Sequence, residues 1–199
     1  MSVDPILHFA TVDVPQGHIL LVATSRGLAR VVLGPDPPVT SRLEELAACM
    51  PALIMNRGNS LLAGLAGSMR RYFMGRRVDF GRLPLDLGHA TAFQEAVWRI
   101  TSTIPYGSVR TYGWLASHLD GRGCARAVGQ ALARNPVPVV VPCHRVIEES
   151  GAHGGFTAGE RWKGILLEIE GGEQRLRLRE CRARPLTKAA PHHGGLEAE

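Results

Sequence analysis

Cysteine is scarce in this chain of 199 residues: there are four, Cys49, Cys124, Cys143 and Cys181. They lie far apart and no two form a CxxC pair, which argues against a zinc knuckle and against a disulfide framework. Reduced thiols in the cytoplasm are the expectation. Long apolar runs are missing too. None approaches the ~18 residues that a membrane-spanning helix needs. The opening stretch, MSVDPILHFATVD, lacks the basic segment and apolar run of a secretory signal. A membrane is therefore not an expected partner. No internal repeat is visible, which leaves ordinary globular domains, and the length suffices for one or two of them with real cores.

What is present fits that class. Hydrophobic residues make up 45% of the chain and charged ones 21%, the balance of a soluble globular protein rather than a disordered one. The formal net charge is +5 and the isoelectric point is near 9.4. That sign permits a polyanionic partner without proving one.

The pattern along the chain predicts an α+β protein. ILHFATVD, HILLVATS and LARVVLG are short β-rich runs separated by tight turns, an antiparallel meander. In SLLAGLAGSMRRYFMG the residues Leu61, Leu65, Met69 and Phe73 recur at helical spacing, with Gly75 as the stop. RRVDFGRLPLDLGHAT, with its Gly and Pro, reads as a linker. The expected division is a sheet-containing domain over residues 1–88, a mostly helical domain over 89–172, and a polar, partly disordered tail over 173–199. In the second domain Thr91 caps a helix from Ala92 to Ser102, with Phe93, Val97 and Ile100 on one stripe. Thr111 opens a helix through TYGWLASHL. CARAVGQALAR forms another after a turn at DGRG, so that the two make a helix-turn-helix. Trp98 and Trp114 read as core anchors. ERWKGILLEIEG is the last helix, with Trp162, Ile165, Leu166 and Ile169 inward. The helix over CARAVGQALAR carries Ala125, Ala127, Gly129, Ala131 and Ala133, all small, and Arg126 projects from its first turn. A small face suits close packing in a core, or close approach to a nucleic-acid groove.

Residues 138–147, PVVVPCHRVI, combine a run that looks like a buried strand with a thiol, an imidazole and a guanidinium in a row. Unpaired Cys is often just a small core residue. As a nucleophile, Cys143 would need neighbours that lower its pKa or take its proton, because the thiolate is the reactive form. Consecutive side chains of a strand point to opposite faces. His144 therefore serves Cys143 only if the chain turns there or a water carries the proton. Pro142 suits such a bend. A third group should orient the imidazole, and Glu170, Glu148 and Glu149 are all candidates that spacing does not separate.

PVPVVVPCHRVI closely resembles the active-site segment of the O6-alkylguanine-DNA alkyltransferases, the methylated-DNA–protein-cysteine methyltransferases. FQEAVWRITSTIPYGSVRTYGWLA, ARAVGQALARNP and SGAHGGFTAGERWKGILLEIEG resemble that family's other segments, in order and at the right distances. The strand-rich first part looks like the family's variable first domain. The resemblance implies repair of double-stranded DNA bearing O6-alkylguanine, with O4-alkylthymine as a further candidate substrate. The alkyl group would move to Cys143, and a thioether with no route to release implies one turnover per molecule. It implies His144 as a water-assisted base, Glu170 as the carboxylate that holds it, Tyr112 as the proton donor to the leaving guanine, and Asn135 as a brace for the active-site strand. The flipped base would leave a gap filled by Arg126, while Ala125, Ala127 and Gly129 approach the minor groove with Thr111 and Arg110 beside them. Val146, Phe156, Thr157, Lys163 and Pro138 would line the substrate pocket, with main chain at Cys143 and Val146 reading the exocyclic amine and Thr157 donating toward O6.

The resemblance implies no cofactor. It leaves a monomer, with cooperative binding along DNA open. Phe156 departs from the tyrosine many relatives carry, so only a stacking surface remains there. No cysteine precedes Cys49, so the structural zinc of some members is not expected. Cys143 is present, which favours transfer over mere flagging of lesions. Two rivals stand beside this reading. A Cys-His hydrolase would turn over acyl substrates. A regulator would bind a specific operator without an adduct on Cys143, although a helix of small residues has few side chains to read bases.

Overall fold

A computed structural model describes residues 6–34, 54–57, 59–88, 90–119 and 124–171. Three strands, β1 (Ile6–Val14), β2 (Gly17–Ala23) and β3 (Leu28–Gly34), form the antiparallel meander that the alternating runs predict. A fourth, β4 (Ile54–Arg57), lies parallel to β1, giving the order β3-β2-β1-β4. The sequence reading did not include this strand; its four residues are too few to show a period. In the central strand β2, Ile19, Leu21 and Ala23 enter the main core, while Leu20 and Val22, which point the other way, are buried as well.

Helix α1 (Ser60–Phe73) starts where the Asn59 side chain accepts the Leu62 N–H and covers the sheet with Leu62, Leu65, Met69 and Phe73. Leu61, expected inward, is only half-buried. The helix ends at Gly75 with φ +78, where the Gly75 and Arg76 amides bond back to Tyr72 and Arg71 carbonyls. Only glycine takes that left-handed turn cheaply.

The segment that follows, which the sequence reads as a linker, is tied to the sheet as a strap. Leu28 N–H donates to Pro84 O and Asp86 N–H to Leu28 O, both at 2.9 Å. Gly27 lets the two backbones approach, since a Cβ there would meet Pro84 O at 2.4 Å. Asp86 accepts from Thr24 and, twice, from Arg26. Its burial alone would raise the carboxyl, but these bonds and the Arg26 charge hold it below its ordinary value.

Beyond the strap come α2 (Ala92–Ser102), β5 (Arg110–Thr111), α3 (Tyr112–Ser117), α4 (Ala125–Ala133), a 3-10 turn at Cys143–Arg145, β6 (Val146–Ile147) and α5 (Glu160–Ile169). Thr91 caps α2 as expected: it accepts from Gln94 N–H, and the Gln94 side chain accepts from Thr91 N–H. The buried stripe is rotated from the predicted one, being Val97, Trp98 and Thr101, with Phe93 and Ile100 half-buried. Trp98 is the anchor expected, its Nε1–H donating to Ala131 O at 3.0 Å. Trp114 is not buried to that degree; it lies half-exposed between the Arg110 guanidinium and the His118 ring. In α5 the inward residues are Trp162, Lys163, Leu166 and Leu167, whereas Ile165 and Ile169 are half-buried. One hydrophobic core runs from Val12 in β1 through Phe73 in α1 to Trp162 and Leu166 in α5, without a break at residue 88. The expected DGRG turn, Cys49, Cys181 and the Arg-rich tail lie outside the described residues. None of the described helices is long and apolar enough to cross a membrane.

Candidate active site

The run before Cys143 is not a strand. Val137, Val139, Val140 and Val141 are all buried, but the chain folds back on itself, with a bridge between Pro138 and Val141 and Val139 at φ +76. A β-branched residue in that region is strained. The strain is held by packing and by Asn135, itself 2% exposed. The Asn135 side chain accepts Val137 N–H at 3.0 Å and donates to Val141 O at 2.9 Å and to Cys143 Sγ at 3.1 Å. So Asn135 braces a compact turn and points the same amide at the sulfur.

Because residues 143–145 continue as a 3-10 turn, Cys143 and His144 are not thrown to opposite faces. Both are buried, Cys143 at 4% and His144 at 0% exposure. His144 Nε2 lies 2.9 Å from Glu170 Oε1, which makes Nε2 the protonated nitrogen. Nδ1 is buried and has no hydrogen-bond partner among the described residues, which leaves it free to accept a proton. Of the three carboxylates left open by spacing, Glu170 is the one that reaches the imidazole; Glu148 and Glu149 are exposed on the surface.

Glu170 is the hub. Arg145 grips both of its oxygens, Nη2 to Oε1 at 2.9 Å and Nε to Oε2 at 3.0 Å. Gly107 N–H adds a bond to Oε2 at 2.9 Å. Sequence reasoning missed the last partner, Tyr72 of α1, whose hydroxyl donates to Oε1 at 2.6 Å and lies 3.3 Å from His144 Nε2. It falls outside the Leu61, Leu65, Met69 and Phe73 pattern by which the sequence predicts α1. Burial would raise the Glu170 carboxyl, but the His144 and Arg145 bonds and charge hold it well below the usual range. Burial pushes His144 down, against the pull of Glu170, so the imidazole rests neutral.

Of the two routes to a reactive sulfur, a lowered pKa or removal of the proton by a neighbour, the first is not the resting state. Burial pushes the Cys143 thiol up to about 11, although the Asn135 bond, the Lys163 charge and two backbone amides work against it. To act as a nucleophile, such a thiol would have to give up its proton to a neighbouring group.

Tyr112, the first residue of α3, stands between α4 and the 154–155 loop. Its ring faces Gly129, where a Cβ would lie 3.7 Å away, and its hydroxyl reaches toward Gly155 O at 3.4 Å. Burial, with the nearby Cys143 and Glu148, raises the phenol, which keeps it a proton donor. Lys163 is fully buried, and its Nζ donates to the carbonyls of Val146 (2.6 Å), His153 and Gly155 (3.4 Å). Burial lowers it to about 8, partly offset by Cys143, Glu148 and Glu160. Phe156 is half-buried against the core and Pro138 is buried behind the turn. Thr157 is exposed, and its hydroxyl is directed to Ala133 O at 3.0 Å rather than into open space. A cavity of about 380 Å³ adjoins Pro142 and Arg145 from the strap side, between Phe80, Tyr106 and Val139–Val141, and its lining does not include Cys143.

Helix α4 corrects one feature of the sequence reading. Small residues two apart cannot share a helical face. Ala125 and Ala133 are exposed, Ala127 and Gly129 half-exposed, and Ala131 is buried with Val128 and Leu132. Arg126 projects from the first turn, exposed as expected. Thr111 is spent as the cap of α3, accepting Trp114 N–H at 3.1 Å, and Arg110 donates to Val109 O.

Residues 92–172 match the family model described as 6-O-methylguanine DNA methyltransferase, DNA binding domain, and residues 7–87 match the same enzyme's ribonuclease-like domain. A Mycobacterium bovis methylated-DNA–protein-cysteine methyltransferase is 34% identical over 83% of this chain and 93% of its own length. The chain belongs to this family. A crystal structure of Mycobacterium tuberculosis O6-methylguanine methyltransferase superposes with a TM-score of 0.67 at 35% identity, covering 82% of this chain and 92% of that one. The Mycobacterium tuberculosis OGT solved in complex with DNA aligns with the same TM-score and coverage at 34% identity. In this methyltransferase the family's DNA-binding domain therefore carries Cys143, His144 and Glu170 together.

Proposed function

We propose that this methyltransferase repairs double-stranded DNA by moving the alkyl group of an O6-alkylguanine onto Cys143, one group per molecule. The observation that carries the reading is the arrangement of Cys143 with its neighbours: a buried sulfur braced by Asn135, followed by a neutral imidazole whose Nε2–H is fixed on Glu170 and whose Nδ1 has no partner among the described residues.

The target base is flipped out of the stack, at roughly a few kcal/mol, while Arg126 takes its place and the exposed side of α4 lies in the minor groove. The carbonyls of Cys143 and Val146 accept the exocyclic amine. Each already accepts one bond, from Val146 N–H and Lys163 respectively, and keeps a second lone pair. Thr157 must release Ala133 O to donate toward O6. The ring of Phe156 supplies stacking surface, and Lys163 holds the loop that carries it.

Sγ attacks the alkyl carbon as the bond from that carbon to O6 breaks, its electron pair staying with the guanine. The thiol proton passes to His144 Nδ1, through a water where the two do not touch, and Glu170 stabilises the imidazolium. Tyr112 supplies the proton that lets guanine leave neutral, and the imidazolium proton then restores the phenol. The thioether is stable, so the molecule is spent. The protein acts as a monomer in a reducing, cytoplasmic setting.

Intact-mass measurement after incubation with an oligonucleotide carrying one O6-methylguanine tests this. The expected result is a gain of one methylene mapped to Cys143 and absent from Cys143→Ala. Unchanged mass in the wild-type chain overturns the reading.

A further inference from the structure

The hydroxyl of Tyr72 lies in the half of the chain that holds the sheet, yet it touches the two groups that manage the Cys143 proton. It donates to Glu170 Oε1 at 2.6 Å and sits 3.3 Å from His144 Nε2. Its ring is completely buried and fixed by edge contacts with Phe73, Phe80 and Tyr106, at centroid distances of 5.3, 6.0 and 6.1 Å. A residue needed only to fill that space would do so as phenylalanine. The hydroxyl is placed where it competes with the imidazole for one carboxylate oxygen.

We infer that Tyr72 is a positioning residue for alkyl transfer, sharing Glu170 Oε1 with His144 so that the imidazole keeps its proton on Nε2 and gives up readily the one it takes on Nδ1. This deepens the proposed transfer to Cys143 and rests on it. A carboxylate that gives part of its charge to a phenol has less to give to an imidazolium. With Tyr72 in place, His144 is therefore neutral over a wider range below neutral pH. Other titratable and charged groups around His144 are Arg145 and Cys143 in its own turn, Lys163 from α5 and Glu170 just after it, and Tyr106 from the loop after α2, which faces Arg145 and the Tyr72 ring. None of these is removed by changing Tyr72.

The test is the single-turnover rate of methyl transfer from an O6-methylguanine duplex across about pH 5 to 9, for the wild type, Tyr72→Phe and Phe73→Leu. In Tyr72→Phe the acidic limb moves to higher pH, and transfer on that limb slows on the order of tenfold. DNA affinity is unchanged. Phe73→Leu disturbs packing beside Tyr72 without touching the carboxylate; its melting temperature falls while its acidic limb stays with the wild type. Replacing Tyr72 by a ring-fluorinated tyrosine, a stronger donor in nearly the same volume, moves the limb to lower pH. An acidic limb that superimposes on the wild type in both Tyr72 variants overturns the inference. A wild-type chain that transfers no methyl group overturns the underlying reading instead, and the two failures are told apart by that control.

Discussion

Asn135 is the residue on which most of the local geometry turns. One buried amide satisfies Val137 N–H and Val141 O and still reaches Cys143 Sγ. Asn135→Ala leaves a buried donor and a buried acceptor without partners, which costs about 2–4 kcal/mol. It also lets the Val139 turn relax out of its strained φ. Denaturant melts should show that loss, and methyl transfer should slow in the same variant. Melts that match the wild type would mean the turn is held by packing alone. At this scale the sequence was informative where chemistry has few alternatives. A thiol beside an imidazole could be read directly, whereas Tyr72, 72 positions before His144, had nothing to mark it. Contacts between buried side chains so far apart depend on how α1 docks, and no local pattern encodes that.

Secondary-structure elements were legible in proportion to their period and caps. The meander, the Thr91 cap and the Gly75 stop follow from local rules. The PVPVVVP segment misled because a run of buried valines reads as a strand, while its backbone meets β3 at one bond, Val31 N–H to Pro136 O, then reverses at Val139 and binds to Asn135. Helix α4 shows the same limit: its small residues alternate at two, but a helix repeats at 3.6, so Ala131 is turned into the core. Gly129 offers a test of what the remaining small side is for. A methyl group there would meet the Tyr112 ring at an ordinary 3.7 Å, and alanine favours the helix by about 0.5–1 kcal/mol. Gly129→Ala should therefore raise the melting temperature and, if α4 lies against DNA, weaken duplex binding in a fluorescence-anisotropy titration. A variant that is more stable and binds equally well would remove Gly129 from the interface.

For the whole molecule, the buried proton-linked groups set a direction for acid stability. His144 has a folded value below its ordinary 6.5, so as pH falls through that value the unfolded chain takes up a proton that the native site resists. Glu170 and Asp86 are both held below their ordinary carboxyl values of 4.5 and 3.8. Their contribution is complete above those values and is lost as pH falls toward the folded ones. Both effects have the same sign. Thermal melts should be level near neutrality, fall once below about pH 6.5 and fall again below about pH 4.5. A melting temperature that rises on acidification would contradict the neutral imidazole. The continuous core across residue 88 could not be read from the sequence, since Gly and Pro in the strap suggested separation. The packing of Phe73 against Trp162 and the bond from Val31 N–H to Pro136 O join the halves.

Lys163 carries a consequence of simple counting. Three carbonyls from two stretches of chain, at Val146, His153 and Gly155, converge on one nitrogen. An ammonium has three hydrogens to offer them, and an amine has two. As alkalinity rises past about 8, one carbonyl must go without, and the longest bond, to Gly155 at 3.4 Å, is the first to slacken. The same oxygen receives the Tyr112 hydroxyl, so the wall of the cleft loosens on the side where the departing purine would be handed its hydrogen.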